Sequence, residues 1–448
     1  MTRIEPLEPE AAERRAPARP RAGPPAVSSP EDLREILARR RGVAAWLALA
    51  LIGLVYLKWD NMRFFWYDPS FCACSFVVSA YFLSRFALCG LYRPPADAGY
   101  EPALTVVIPV RDEEAAIART VASVLAADYP EQKREVIVVD DGSADGTPAI
   151  LSSLIEKHPS LKVFTIPRSG KRAAMARGVR HAGGELIVFV DSDTFLYRDA
   201  LRRIVQGFED PTLGAVAGHT EVENAGKNAL TGLQEVRYLL SFRMMKASES
   251  VFGAVTCCPG CLSAYRKQYV LDVLDPWLHQ RFLGAAATFG DDRSLTNLIL
   301  RKYRVIYNAQ AGSSTLVPET WRLYLTQQVR WKKSWLRETL IAGGFMLKKH
   351  PVAALSFYSA AICSVVSPLM IFRAAYLGFV EPRTFLSYHA LGLILIGFVQ
   401  GLTFLLLRPR SRWLLSMLMV ASQVLVLGPQ TYYALLTMRR NHWGTRSG

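Results

Sequence analysis

The chain has 448 residues, 51% of them hydrophobic, with a mean hydropathy of +0.15, a formal net charge of +15 and a pI of about 9.6. That hydropathy is high for a soluble globular protein, and the length suits one large domain or two ordinary ones. The basic balance fits nucleic acid, anionic lipid or a phosphorylated substrate, and nucleic acid drops out first for want of zinc-finger spacing, an RNA-binding signature or a basic reading helix.

Residues 1–30 are rich in Pro, Ala and Arg without apolar periodicity, and the stretch up to residue 41 reads as a disordered cytosolic tail. It is no signal peptide, because the apolar core comes late and no cleavage pattern follows. "GVAAWLALALIGLVYLKW" (42–59) and "SFCACSFVVSAYFLSRFALCGLY" (70–92) are each long enough to cross a bilayer, and Trp66 and Tyr67 between them suit its interface. Arg39, Arg40 and Arg41 precede the first span, so the positive-inside tendency places the amino terminus, and the chain after Arg93, in the cytosol.

From residue 97 to 320 the pattern changes to short β-branched runs ending in polar residues. "ALTVVIPV" (103–110), "REVIVVDDGS" (134–143), "LKVFTIP" (161–167) and "ELIVFVDSDT" (185–194) alternate with helical stretches such as 113–127 and 147–157. This alternation predicts an α/β domain with a mostly parallel sheet, whose ligands bind beyond the carboxyl ends of the strands. Residues 321–350 read as amphipathic interfacial helices. Apolar stretches at about 352–379, 384–407 and 412–437 follow, and then a basic tail, 439–448. Three full spans would put that tail outside, so one of them is expected to be re-entrant, with Pro368 or Gly428-Pro429 as the break.

The acidic clusters sit at the predicted strand ends. Asp140 and Asp141 in "VVDDGS" are, by default, an ordinary Asp-Gly turn. Asp191 and Asp193 in "FVDSDT" repeat the pattern, and two carboxylates flanking a serine can hold Mg²⁺ or Mn²⁺ through oxygen. Between them "RSGKRAAMARGV" (168–179) opens a basic helix where Lys171 and Arg172 could meet phosphate, helped by free backbone donors. Asp291 and Asp292 in "FGDDRSLTN" (289–297) are either a proton acceptor for an attacking hydroxyl or a helix cap. In "LTQQVRWKKSWLRETL" (325–340), Gln327, Gln328 and Arg330 are more than a membrane anchor requires. The cysteines in "VTCCPGC" include one CxxC, Cys258 and Cys261. No second pair follows it, so packed reduced thiols are favoured over zinc.

Taken together and in order, "DDGS", "GKR", "DSD", "GDDR" and "QQVRW" resemble the processive family-2 glycosyltransferases. These include hyaluronan synthases, chitin synthases and the chitooligosaccharide synthases of nodulating bacteria. The resemblance runs motif by motif over roughly residues 100–340, and in layout over the flanking membrane stretches. It implies a GT-A glycosyltransferase domain set between transmembrane helices of an integral plasma (inner) membrane protein. Asp140 and Asp141 would lie near uridine, with Lys171 and Arg172 facing the diphosphate. Asp191 and Asp193 would be the metal-binding pair for Mn²⁺ or Mg²⁺, Asp191 also touching the UDP-sugar. Asp292 would be the catalytic base, with Asp291 beside it. Gln327 and Arg330 would touch the diphosphate, while Trp331 and Arg293 would hold the acceptor. "FGDDRSLTN" and the tail "YYALLTMRRNHWGTR" look most like hyaluronan synthases, which implies UDP-GlcNAc and UDP-GlcA as donors. "VTCCPGCLSAYR" is also similar to the chitooligosaccharide synthases, so a chitin-type enzyme using UDP-GlcNAc alone is the alternative. The partners implied are the donors, the growing polysaccharide and the bilayer.

Overall fold

A computed structural model describes residues 30–64, 69–380, 385–408 and 411–439. The first part of the expected tail and the carboxyl-terminal residues from 440 on lie outside these. Pro30–Arg39, read above as tail, is a helix. Its Ile36 and Leu37 pack against an apolar cluster that includes Leu47, Val399 and Leu402. Arg40 then donates to the carbonyls of Leu405 and Leu406 at 2.8 and 2.6 Å, capping the end of a membrane helix.

The middle of the chain builds one eight-stranded sheet. Its strands are β1 (Leu104–Val110), β2 (Arg134–Asp140), β3 (Leu161–Thr165), β4 (Leu186–Phe189), β5 (Thr194–Leu196), β6 (Leu213–Val222) and β7 (Ser263–Arg266). Two-residue strands β8 (Arg281–Phe282) and β9 (Ala285–Ala286) form a separate hairpin, and β10 (Arg304–Thr315) returns to the main sheet. The order is β3-β2-β1-β4-β7-β6-β10-β5. β1 pairs in parallel with β2 and β4, as do β2 with β3 and β6 with β10. β7 runs antiparallel between β4 and β6, and β5 is antiparallel to β10.

Strand alternation divides the core between the two faces of the sheet. Leu104, Val106, Ile108 and Val110 turn to one face, where Ile117, Val121, Leu151 and Leu201 cover them. Val107, Ile137, Val139 and Phe189 turn to the other, against Met175, Val179, Trp277, Leu295 and Phe345. The acidic motifs are thus fixed at the ends of strands buried on both sides.

Among the described residues, five segments are long and apolar enough to cross a membrane: Arg41–Arg63, Cys72–Leu91, Pro351–Arg373, Ala390–Leu407 and Arg412–Leu436. Pro368 lies inside the continuous Pro351–Val380 helix, and Gly428-Pro429 continues a helix through a π turn at Gln423–Leu427. Neither proposed break reverses the chain. Instead the two meet: a side chain at Gly428 would come within 3.6 Å of the Pro368 ring. A second π turn, Ser241–Lys246, extends the Ala229–Leu240 helix toward the membrane helices, where Ser248 Oγ donates to the Arg85 carbonyl at 3.0 Å.

Candidate active site

One cavity of about 1610 Å³ gathers the motifs and continues along the membrane helices. Asp141, Lys171, Asp191, Asp193, Asp291, Asp292 and Arg293 line its domain side. Gln327, Arg330, Trp331, Ser334 and Trp335 enter from the Trp321–Met346 helix, spaced to share one face. Beyond them Ser356, Ala360, Ser364, Ser367 and Gln423 carry the wall into the membrane segments.

Individual side chains sort differently from the expectations. Asp140 does not reach the cavity wall: it is buried, and Oδ1 accepts from Ser143 N and Oγ at 3.0 and 2.6 Å. Asp141 clamps the next motif, its carboxylate accepting from Ser169 N at 2.6 Å and Gly170 N at 2.9 Å. Two of the backbone donors ahead of that helix, Ser169 N and Gly170 N, are therefore engaged by a carboxylate rather than open to phosphate.

Lys171 and Arg172 part company. Lys171 pairs with Asp191. Burial opposes its charge, but Asp191, Asp291 and Asp292 more than offset that and raise its pKa. Arg172 is buried rather than turned to a diphosphate. It donates through Nε to Asp291 Oδ1 at 2.6 Å, through Nη1 to the Trp277 carbonyl at 2.7 Å and through Nη2 to Gln280 Oε1 at 3.1 Å. Asp291, expected beside the base as a catalytic residue, is the inward partner of that fork, and burial raises its carboxyl against the pull of Arg172 and Lys171. Both aspartates line the cavity, and Asp292 is the half-buried, more open one of the pair. Its Oδ1 accepts from Arg293 N at 2.8 Å, and its Oδ2 lies 3.7 Å from Cys257 Sγ. Neither aspartate is the helix cap: Gly290 holds that position, with the pair in the first turn of Asp291–Leu300.

Gly290 adopts φ +79°, the left-handed region, and a side chain there would strike Ser334. The acidic turn is thereby pressed onto the Trp321–Met346 helix. Arg337 donates to the Phe289 carbonyl at 2.6 Å and to Glu338 at 2.7 Å, and Glu338 accepts from Gln280 at 3.0 Å and Asn297 at 3.1 Å. Gln280 also accepts from Arg172, so one buried polar network joins three motifs.

Among the described residues no group of three or more His, Cys, Asp or Glu is placed to hold a metal. Asp191 and Asp193 still fit a hard cation that takes its other ligands from a substrate. Gly260 leaves space that a Cβ would fill at 2.8 Å from both Asp191 oxygens. Asp193 Oδ1 accepts from Thr315 Oγ1 at 3.2 Å. Cys261 Sγ stands 3.9 Å from Asp191, and burial raises the Cys261 and Cys257 thiols.

The sequence reading missed Arg111, Asp112 and Glu113, which line the cavity after β1. Asp112 has φ +51°, an uncommon backbone state for a residue with a side chain. The signal was present in "IPVRDEE", a third acidic strand end. It also passed over Lys246, whose ammonium holds the Cys257 carbonyl beside Asp292.

Comparison with known proteins bears on the family and the fold. The family described as glycosyl transferase family 2 matches residues 105–274. The hyaluronan synthase of Streptococcus pyogenes is 31% identical over 384 residues, 83% of this chain and 89% of that protein. An N-acetylglucosaminyltransferase of Azorhizobium caulinodans is 31% identical over 357 residues, 77% of this chain and 87% of that one. The solved mannosyltransferase from Pyrobaculum calidifontis, in complex with GDP-Man and Mn²⁺, shares the fold at a TM-score of 0.52 and 22% identity, over 80% of this chain and 99% of that one. The chain belongs to glycosyltransferase family 2, as a hyaluronan synthase-like enzyme with a GT-A domain carried on membrane helices.

Proposed function

We propose that this enzyme polymerises UDP-sugars into a β-linked polysaccharide, hyaluronan built from UDP-GlcNAc and UDP-GlcA, and passes it out along its membrane helices. The observation that carries the reading is the single cavity shared by Asp292, Trp331 and the membrane helices. A half-buried carboxylate on that wall can accept the proton of an acceptor hydroxyl, which then attacks the anomeric carbon opposite the leaving UDP. Trp331, 38% exposed, offers its indole to the apolar face of the acceptor sugar. Arg330 and Gln327, one turn apart, reach the diphosphate from the same helix, with Lys171 on the opposite side. A divalent cation between Asp191 and Asp193, Mn²⁺ or Mg²⁺, would supply charge neutralisation for the departing diphosphate. Arg172, Asp291 and Gln280 keep the turn that carries Asp292 in register. Arg39, Arg40 and Arg41 ahead of the Arg41–Arg63 span support, by the positive-inside tendency, a catalytic domain on the cytosolic side of the plasma membrane, where nucleotide-sugars are available.

The alternative polymer is chitin-like, and it draws support from the N-acetylglucosaminyltransferase likeness. Purified protein given Mn²⁺ with UDP-GlcNAc, with UDP-GlcA, and with both decides between them through UDP release and product size. Hyaluronan requires both donors and yields a large product that hyaluronidase digests. Sustained turnover on UDP-GlcNAc alone, with a chitinase-sensitive product, overturns that choice. Asp292→Asn is expected to lower transfer by about 10²–10⁴-fold while UDP binding stays near wild type. Retained synthesis in that variant removes Asp292 from the role of base.

A further inference from the structure

Beside Trp331 the cavity wall carries two cations to which the transfer step assigns no work. Arg237 holds its guanidinium 5.7 Å from the Trp331 ring centroid. It donates to the Tyr324 hydroxyl at 3.3 Å and to the Gln328 amide oxygen. Lys332 donates to Thr431 Oγ1, on the last membrane helix, at 2.9 Å. The acceptors are a phenol, an amide and a hydroxyl, all neutral. Burial, and then Arg237, pull the Lys332 ammonium down to about 8. Like charges held together in a partly desolvated wall disfavour each other until an anion joins them.

The surroundings narrow the choice of anion. On the domain side, Asp191 and Asp291 already have cationic partners in Lys171 and Arg172. A diphosphate belongs there, near the candidate metal pair. The Arg237 and Lys332 pair sits on the membrane side, flanking an exposed indole. An anion carried by a sugar stacked on that indole would meet both cations together. We propose that Arg237 and Lys332 form a carboxylate subsite for a uronic acid in the sugar chain at Trp331, so that the cavity favours an anionic polymer over a neutral one. The inference rests on the reading of Trp331 as the acceptor platform.

Three probes test it on the full chain in detergent by calorimetry: a hyaluronan tetrasaccharide, chitotetraose and UDP. Wild type is expected to bind the hyaluronan fragment more tightly than chitotetraose. Lys332→Gln keeps a donor for Thr431 and removes the charge. It should weaken the hyaluronan fragment about tenfold, the usual scale of one charged hydrogen bond, and leave chitotetraose and UDP unchanged. Lys332→Arg should restore binding. Among the described residues the charge acting on Lys332 is that of Arg237, and Thr431 and Gln328 are neutral. Wild-type affinity for the hyaluronan fragment should therefore fall as pH rises through about 8 and Lys332 loses its proton, and this slope should vanish in Lys332→Gln. Unchanged hyaluronan-fragment binding in Lys332→Gln overturns the subsite, and so does an equal loss for chitotetraose or UDP. The donor experiment fails separately. A chitin product with Lys332-dependent uronate binding would overturn the polymer assignment and leave the subsite standing.

Discussion

Lys171 and Arg172 are adjacent in sequence and do different work. The lysine stays at the cavity with Asp191, whereas the arginine spends its fork on Asp291, Trp277 and Gln280. Kinetics should separate them. On the proposed role of Lys171 at the diphosphate, Lys171→Met is expected to raise the donor KM, because it removes that charge. Arg172→Lys keeps the charge but loses the fork, and should lower kcat with little change in donor KM. UDP-release kinetics over a donor series read the difference, and a KM effect confined to Arg172 would reverse the two roles. The same division separates Asp140 from Asp141 and Asp291 from Asp292. Sequence placed all four near the chemistry, because acidic residues at strand and helix ends are visible as motifs. It could not say which member of each pair turns inward. That is decided by the partner each one finds, Ser143 for Asp140 and the distant Arg172 for Asp291.

At the scale of elements, the acidic turn and the long amphipathic helix act as one piece. Gly290 is the point of closest approach, and its left-handed backbone has no room for a side chain against Ser334. Gly290→Ala should cost about 1–3 kcal/mol through backbone strain alone. It should lower the thermal midpoint in detergent and reduce turnover together. An unchanged midpoint would mean that the turn relaxes freely. Strands β1 to β4 were legible because they are dense in Val, Ile and Phe. β6 and β10 were not, since "LGAVAGHTEV" and "RVIYNAQAGSST" are rich in Gly, Ala and Ser. Those small residues are there because large neighbours press on them: Leu262 on Gly218 and Tyr197 on Gly312. Such strands are defined by what packs over them, which periodicity does not record.

For the whole molecule, the question is how a soluble-type sheet is held to a membrane bundle. Arg408, following the Phe385–Leu407 helix, reaches Glu221 on β6 and Glu235 on the Ala229–Leu240 helix, the latter at 3.0 Å. Arg412 adds a 3.5 Å contact to Glu235. These carboxylates are nearly buried, so removing a partner strands a charge. Arg408→Ala is expected to destabilise by roughly 3–5 kcal/mol. It should expose the domain–membrane junction to limited proteolysis. The double variant Arg408→Met with Glu235→Gln should recover part of that loss, and equal sensitivity in single and double variants would show that the ion pair does not hold the junction. None of this was legible in the sequence, where Arg408 reads as the flank of a membrane span.

The shared cavity has a consequence for the membrane itself. A route that admits a hydrated sugar chain also admits water and small ions, so the seal of the bilayer depends on what fills the route. On the polymerase reading proposed above, the product is the plug during synthesis. Between products, side chains must close the gap, and the two π turns, Ser241–Lys246 and Gln423–Leu427, both border it. Electrical recordings from planar bilayers containing the enzyme should therefore be quiet while a chain is threaded. Enzymatic digestion of the product should make them leakier unless those turns swing inward, and the leak, as much as the sugar chemistry, would limit how freely a cell can express such a protein.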